Sequence, residues 1–241
     1  SAGIQILSYG PYGLESKPSI RGFTDETVRV VIDGVCVNNP QFGTFDFSTI
    51  NLNDIERIEI LRGGFSENVN DEGSVAGVIY ITTKKQNLGH NISTDTNTKT
   101  FFNFNNFLDS FSQSINYSGQ ISDNNFLNLS GKINFFDNKF LFYDYKNSLI
   151  EREDSEVFDL NSQIAFSRYF SDGNLFYITE ALYWGDKNIP GPEYSSLKGI
   201  QKDLNNRLQC SLDFPNIKNI FSWKNNFSWI YNSRNYKTNL N

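Results

Sequence analysis

Glu56 and Glu59, with Arg57 between them, are the first carboxylates to weigh as a general acid and base. They lie three residues apart in a run that alternates like a strand, so they project to opposite faces. No His or Lys lies nearby to tune either one, whereas Arg57 shares the polar face of Glu59 and offers it a salt bridge. The chain has one histidine, His90, and two cysteines, Cys36 and Cys210, in unrelated contexts. That leaves no zinc ligand set and no Cys/His arrangement for nucleophilic catalysis. The reading is a non-enzyme with no catalytic residues and no His/Cys metal site, its two thiols free and buried.

The rest of the composition narrows the partners. A net charge of −6 over 241 residues gives no drive toward nucleic acid, and no Lys/Arg cluster overrules the average. No apolar run approaches the roughly 18 residues of a transmembrane helix. Methionine is absent, initiator included, and the chain opens on SAGIQILSYG, so it is expected to begin inside a longer protein.

What must position any site is legible in the texture. Up to GVIYITTKK, ending at Lys85, short β-branched runs are punctuated by glycine. Beyond it, aromatic residues mix with Asn and Ser in alternation. In 111–121, Phe111, Ile115, Tyr117 and Ile121 oppose Ser112, Ser114, Asn116 and Ser118. Leu127–Phe135, Phe158–Phe166, Leu204–Phe214 and Asn219–Tyr231 behave alike, apart from Asn206; Glu180 blurs the apolar face of Leu175–Trp184. Such strands fit a soluble β-sandwich, as in a secreted adhesin or lectin, or a membrane barrel with lipid outside. Strands of about 10 residues, aromatics toward strand ends and short turns alternating with long excursions favour the barrel. A surface hydrolase would need a convergent acid, base and nucleophile.

Four ordered motifs add a family. SIRGF (19–23), VRVVIDGVCV (28–37), DFSTINLNDIERIEILRGG (46–64) and GVIYITTKK (77–85) together resemble the plug domain of TonB-dependent outer-membrane receptors. Residues 1–87 are read as a small α+β plug and 88–241 as about seven strands of an antiparallel transmembrane β-barrel, a mainly β chain. The resemblance implies a fragment of a 22-stranded barrel in the outer membrane of a Gram-negative-type bacterium, consistent with barrels of that size being plugged. It implies a TonB-type energy-coupling partner acting through a missing N-terminal segment, and uptake of a scarce small-molecule nutrient. It also implies that the plug arginines, Arg21 and Arg62, latch onto carboxylates of the barrel wall, a task suited to the bidentate guanidinium. The segment 65–77 departs from the family by being more acidic and one residue longer.

The loop 35–48 resembles that of the cobalamin-receptor subgroup. Asn38, Asn39, Gln41 and Phe42 offer neutral amides and a stacking face, suited to a large amide-rich ligand such as cobalamin or another corrinoid. The alternatives are a ferric siderophore or haem as ligand, and a plain turn with no ligand. Glu153, Asp154 and Glu156 could supply oxygen ligands to calcium, or form a solvated charge run. Asn53 or Asp54 is expected to cap a short helical turn before Ile55.

Overall fold

The computed structural model describes residues 4–8, 12–23, 25–62, 76–100, 108–191, 198–217 and 220–238. The segment 65–75, where the sequence departs from the family, and the aromatics Phe101 and Phe102 lie outside them.

The N-terminal part is built on β-branched residues, which bury both faces of its two central strands. Strands β1 (Ile4–Ser8) and β2 (Ser16–Ile20) pair antiparallel as a hairpin. Then β3 (Val28–Ile32), β4 (Val35–Cys36), β5 (Ile55–Arg62) and β6 (Gly77–Thr83) form a four-stranded sheet in the order β4-β3-β6-β5, with β3 and β6 parallel. As its apolar run predicts, β3 is central. The two-residue turn to β4 uses Asp33 at φ +50° and Gly34 at φ +89°, the left-handed pair that Asp-Gly accommodates. Ile20, Val28, Val30, Ile32, Val37, Ile79 and Ile81 form the core, with Phe45, Phe47 and Ile60 packed against it. Full burial of each such side chain contributes about 1.5–3 kcal/mol. Ile230 of the second sheet joins this cluster.

The helical turns before β5 are two 3-10 segments, Phe47–Thr49 and Leu52–Asp54. Asp46 caps the first by accepting from Ser48 N. Asn51 caps the second by accepting from Asn53 N, which corrects the assignment of that role to Asn53 or Asp54. Asn53 and Asp54 lie inside the Leu52–Asp54 turn, so the cap is the residue that precedes it.

The remaining strands are β7 (His90–Lys99), β8 (Ser110–Ser122), β9 (Asn125–Phe136), β10 (Leu141–Tyr143), β11 (Leu149–Glu151), β12 (Val157–Tyr169), β13 (Leu175–Ile189), β14 (Gly199–Ile217) and β15 (Phe221–Thr238). Seven of them form one antiparallel sheet, β15-β14-β13-β12-β9-β8-β7, while β10 and β11 make a hairpin inside the β9–β12 connection. The long connections gather at one end of this wall, called the outer end below, and the tight turns at the other.

Burial in the wall is inverted relative to a soluble sheet. The face toward the plug is polar and covered: Asp159 is 2% exposed, Asn161 5%, and Ser167, Lys187 and Gln209 0%. The opposite face carries Ile115, Leu129, Ile133, Phe158, Ile164, Phe227 and Trp229, all exposed, with Ile164 at 55% although its strand is paired on both sides. Among the described residues no second sheet covers that face. A sandwich buries its greasy face, whereas a barrel in lipid displays it. No helix among the described residues is long and apolar enough to cross a membrane.

Candidate ligand-facing surface and plug–wall contacts

The loop between β4 and the first 3-10 turn is pinned by one side chain. Asn38 is 8% exposed; its Oδ1 accepts from Val30 N at 2.7 Å, and its Nδ2 donates to Val28 O at 2.9 Å and Gly43 O at 2.7 Å. The Asn38 amide therefore serves the loop itself. Asn39 makes a local turn, accepting from Gln41 N at 2.8 Å and Phe42 N at 3.2 Å. Gln41 and Phe42 stand at the tip, with Phe42 60% exposed. Asp46, which ends this loop, lies 4.0 Å from Lys187 near the outer end of β13, so the loop sits toward the outer end of the wall. Replacing Asn38 with alanine is expected to free three backbone groups and cost the loop about 1–3 kcal/mol, read as faster amide exchange at Val30.

Below the loop, charged groups tie plug to wall. Asp46 Oδ1 accepts from Ser16 N and Ser48 N, both at 2.9 Å, and its other oxygen lies 4.0 Å from Lys187 Nζ. Lys187 also faces Asp203 at 3.4 Å, and Arg234 Nε donates to Asp203 at 2.9 Å. Arg234 continues to Glu15 of the plug, and Glu15 to Lys17 at 3.2 Å. Burial works against the Glu15 charge, but Arg234 and Lys17 outweigh it and hold the carboxyl below its ordinary value. A depressed carboxylate stabilises the fold above its unfolded pKa, so this contribution is lost as pH falls through the folded value.

A second cluster fastens the inner end. The buried Asp33 carboxylate accepts from Thr83 N at 3.1 Å and Thr83 Oγ1 at 2.6 Å, and pairs with Lys85 at 3.2 Å. From the wall, Tyr177 OH lies 2.8 Å from Thr83 Oγ1, and Gln209 Nε2 donates to Asp33 O at 3.0 Å. Between the two clusters is a cavity of about 80 Å³ lined by Asn51, Asp54, Tyr183, Arg207, Ile230 and Asn232, among others. Asn51 Nδ2 and Arg207 Nε have no hydrogen-bond partner there among the described residues, and burial pushes the Asp54 carboxyl up. This space has room for a few waters at about 30 Å³ each, not for a nutrient.

The other sequence candidates fall elsewhere. Arg21 occupies an exposed turn at φ +53°, with no ion pair among the described residues; the side chain of Arg62 lies outside them. Asp154 pairs with Lys198, and Glu156 pairs with Lys139 at 3.4 Å and accepts from Asn188 at 3.0 Å, while Glu153 is exposed. Among the described residues no three such ligands converge on one point. Arg57 and Glu59 pair at 3.3 Å on an exposed face, an arrangement without catalytic geometry. Sequence reasoning missed Asp46, Lys187, Asp203 and Arg234; polar residues of a strand's inner face carry no mark of which ones meet across the sheet.

The geometry defines a class: a plug packed against the polar face of a strand wall whose other face is apolar. Comparison with known proteins agrees. Residues 1–78 match the family described as TonB-dependent Receptor Plug Domain. Over 84 residues the chain is 37% identical to the vitamin B12 transporter BtuB of Photobacterium profundum, covering 35% of this chain and 14% of that protein. It is 35% identical over 88 residues to the TonB-dependent receptor P39 of Formosa agariphila, covering 8% of that protein. The chain thus spans a small part of the length of these relatives. Two solved structures share the fold across nearly the whole chain. The copper transporter OprC superposes with a TM-score of 0.69 at 13% identity, over 96% of this chain and 33% of its own. The pyoverdine receptor FpvA of Pseudomonas aeruginosa gives 0.55 at 12%, over 99% and 44%. Residues 1–78 are thus a TonB-dependent receptor plug domain by similarity, and the chain as a whole shares the fold of such receptors.

Proposed function

We propose that this chain supplies the plug and the first wall strands of an outer-membrane receptor of a Gram-negative-type bacterium, which takes up a scarce nutrient. A TonB-type partner would drive it by pulling on a segment N-terminal to the plug, shifting the plug between two positions rather than performing chemistry. The observation that carries the membrane reading is the inverted wall, with Ile164 exposed and Asp159 buried on alternate positions of one strand type. Among the described residues, strands β7 and β15 each leave one edge unpaired, and open backbone in lipid costs several kcal/mol per group. Further strands, in the family a 22-stranded closure, would pair those edges.

Cobalamin or another corrinoid is the ligand this reading favours. Relatives alike over the plug include vitamin B12 transporters, and the loop tip offers Gln41 and Phe42 with no charge. A large ligand rich in amides matches hydrogen-bonding groups beside one aromatic face, whereas an anionic complex would call for Arg or Lys. A ferric siderophore is the second reading, supported by the likeness to siderophore receptors across the wall. The calcium proposal near Asp154 retains only the acidic composition of its loop in support.

The complete receptor in detergent is to be titrated with cyanocobalamin and with ferric siderophores. Cyanocobalamin is expected to bind tightly, and Gln41→Ala with Phe42→Ala to weaken it several-fold while leaving the fold unchanged. Tight binding of a siderophore and none of cobalamin would transfer the assignment; binding untouched by both substitutions would make the loop a plain turn.

A further inference from the structure

The plug's N-terminal hairpin is held by the wall on both sides of its turn. On one side Tyr12 O accepts from Asn138 Nδ2 at 2.9 Å, the Tyr12 ring stacks on Phe136 at 6.1 Å, and the Lys99 ammonium sits 4.1 Å from that ring's centroid. Gly13, at φ +82°, passes so close that a Cβ would stand 2.7 Å from Phe136 and 2.8 Å from Val157. On the other side Glu15 meets Arg234. Lys99 belongs to β7 and Arg234 to β15, the two outermost strands of the sheet, so residues 12–17 cross the outer end like a strap.

Asp46 joins this strap to the loop that carries Gln41 and Phe42. It holds Ser16 N of the strap and Ser48 N of its own turn, and it faces Lys187 of the wall. Lys187 is 0% exposed, and its ammonium makes no hydrogen bond among the described residues. Its charge rests on Asp46 at 4.0 Å and Asp203 at 3.4 Å, under the Tyr183 ring. A buried cation held by ion contacts and a ring, with no hydrogen bond, depends on each ion contact, because removing one partner strands the other.

We infer that the strap and the chain Asp46–Lys187–Asp203–Arg234–Glu15 form a clasp that fixes the plug's outer end to the wall and sets the position of the ligand-facing loop. It rests on the receptor reading above. Its polarity is the reverse of the arginine latch expected from the motifs: at these contacts the plug brings carboxylates and the wall brings cations. The clasp is separate from the inner-end cluster around Asp33, so the outer end can loosen while β3 and β6 stay in place.

Hydrogen exchange followed by mass spectrometry on the complete purified receptor tests this without any ligand. Arg234 is half exposed, so Arg234→Gln folds normally and is expected to speed exchange in peptides covering 12–20 at least 10-fold. Arg234→Lys keeps the charge and should recover most of the protection. Lys187→Met is expected to speed exchange across 38–48 as well. In each variant the peptide covering 28–32 should stay as slow as in the wild type, and Arg21→Gln should change neither outer segment. Unchanged exchange at 12–20 in Arg234→Gln overturns the clasp, as does an equal acceleration at 28–32 or a larger effect from Arg21→Gln. If the clasp holds but neither cyanocobalamin nor a ferric siderophore binds, the uptake assignment fails alone.

Discussion

Alanine at Asp33 should lower the opening free energy of β3 and β6 by about 3–5 kcal/mol, the range for removing one partner of a buried charge pair. The side chain is 1% exposed and satisfies Thr83 twice as well as Lys85. Its removal leaves the Thr83 amide and the Lys85 ammonium without their acceptor, and alanine must also adopt φ +50°, which costs about 1 kcal/mol. Asparagine separates the two causes. It tolerates the left-handed backbone and can still accept from Thr83, but it cannot neutralise Lys85, so Asp33→Asn should keep the charge-pair loss and recover only the backbone and Thr83 parts, about 1–2 kcal/mol. Exchange at the amides of residues 79–83 in the complete receptor measures both. Equal losses in the two variants would mean that charge, not backbone geometry, dominates this turn; a loss below about 1 kcal/mol in either would show the inner fastening to be incidental.

That turn was readable from the residues, since Asp-Gly after an apolar run admits few other conformations. The alternating faces of β8, β9, β12, β14 and β15 were readable for a similar reason: one residue type per face survives any detail of packing. Strand β7 was not, because its outward positions are Thr94, Thr96 and Thr98 beside one isoleucine, and its inward ones are Asn91, Ser93, Asp95 and Asn97. Threonine serves both faces, so the period vanishes. Asn38 shows the limit for function. In sequence it equals its neighbour Asn39, and only the approach of β3 turns its amide inward. The two exceptions to alternation, Glu180 and Asn206, prove to be one feature: both lie on the outward face, and Asn206 Nδ2 donates to Glu180 Oε1 at 3.0 Å. A carboxyl on an apolar face is costly alone and tolerable with a hydrogen-bonded neighbour.

The same outward face supports the second large effect. Leu129→Arg should destabilise the complete receptor by about 2–4 kcal/mol when it folds into phospholipid vesicles, the cost of a guanidinium at mid-depth on a barrel's lipid face. Leu129 lies in the middle of β9, paired on both sides with strands that carry Tyr117 and Ile164 outward at the same level, and it is 38% exposed. If that face met water, an arginine there would change stability by no more than about 0.5 kcal/mol, as exposed substitutions do. The depth dependence sharpens the comparison. Arginine at Ile200, near the outer end of β14 and 40% exposed, should cost only about 0–1 kcal/mol because the side chain reaches the interface. A soluble sheet predicts no such gradient along its strands, so equal, small effects at Leu129 and Ile200 would sink the membrane reading, while a steep one follows only from a wall whose greasy side is solvated by lipid.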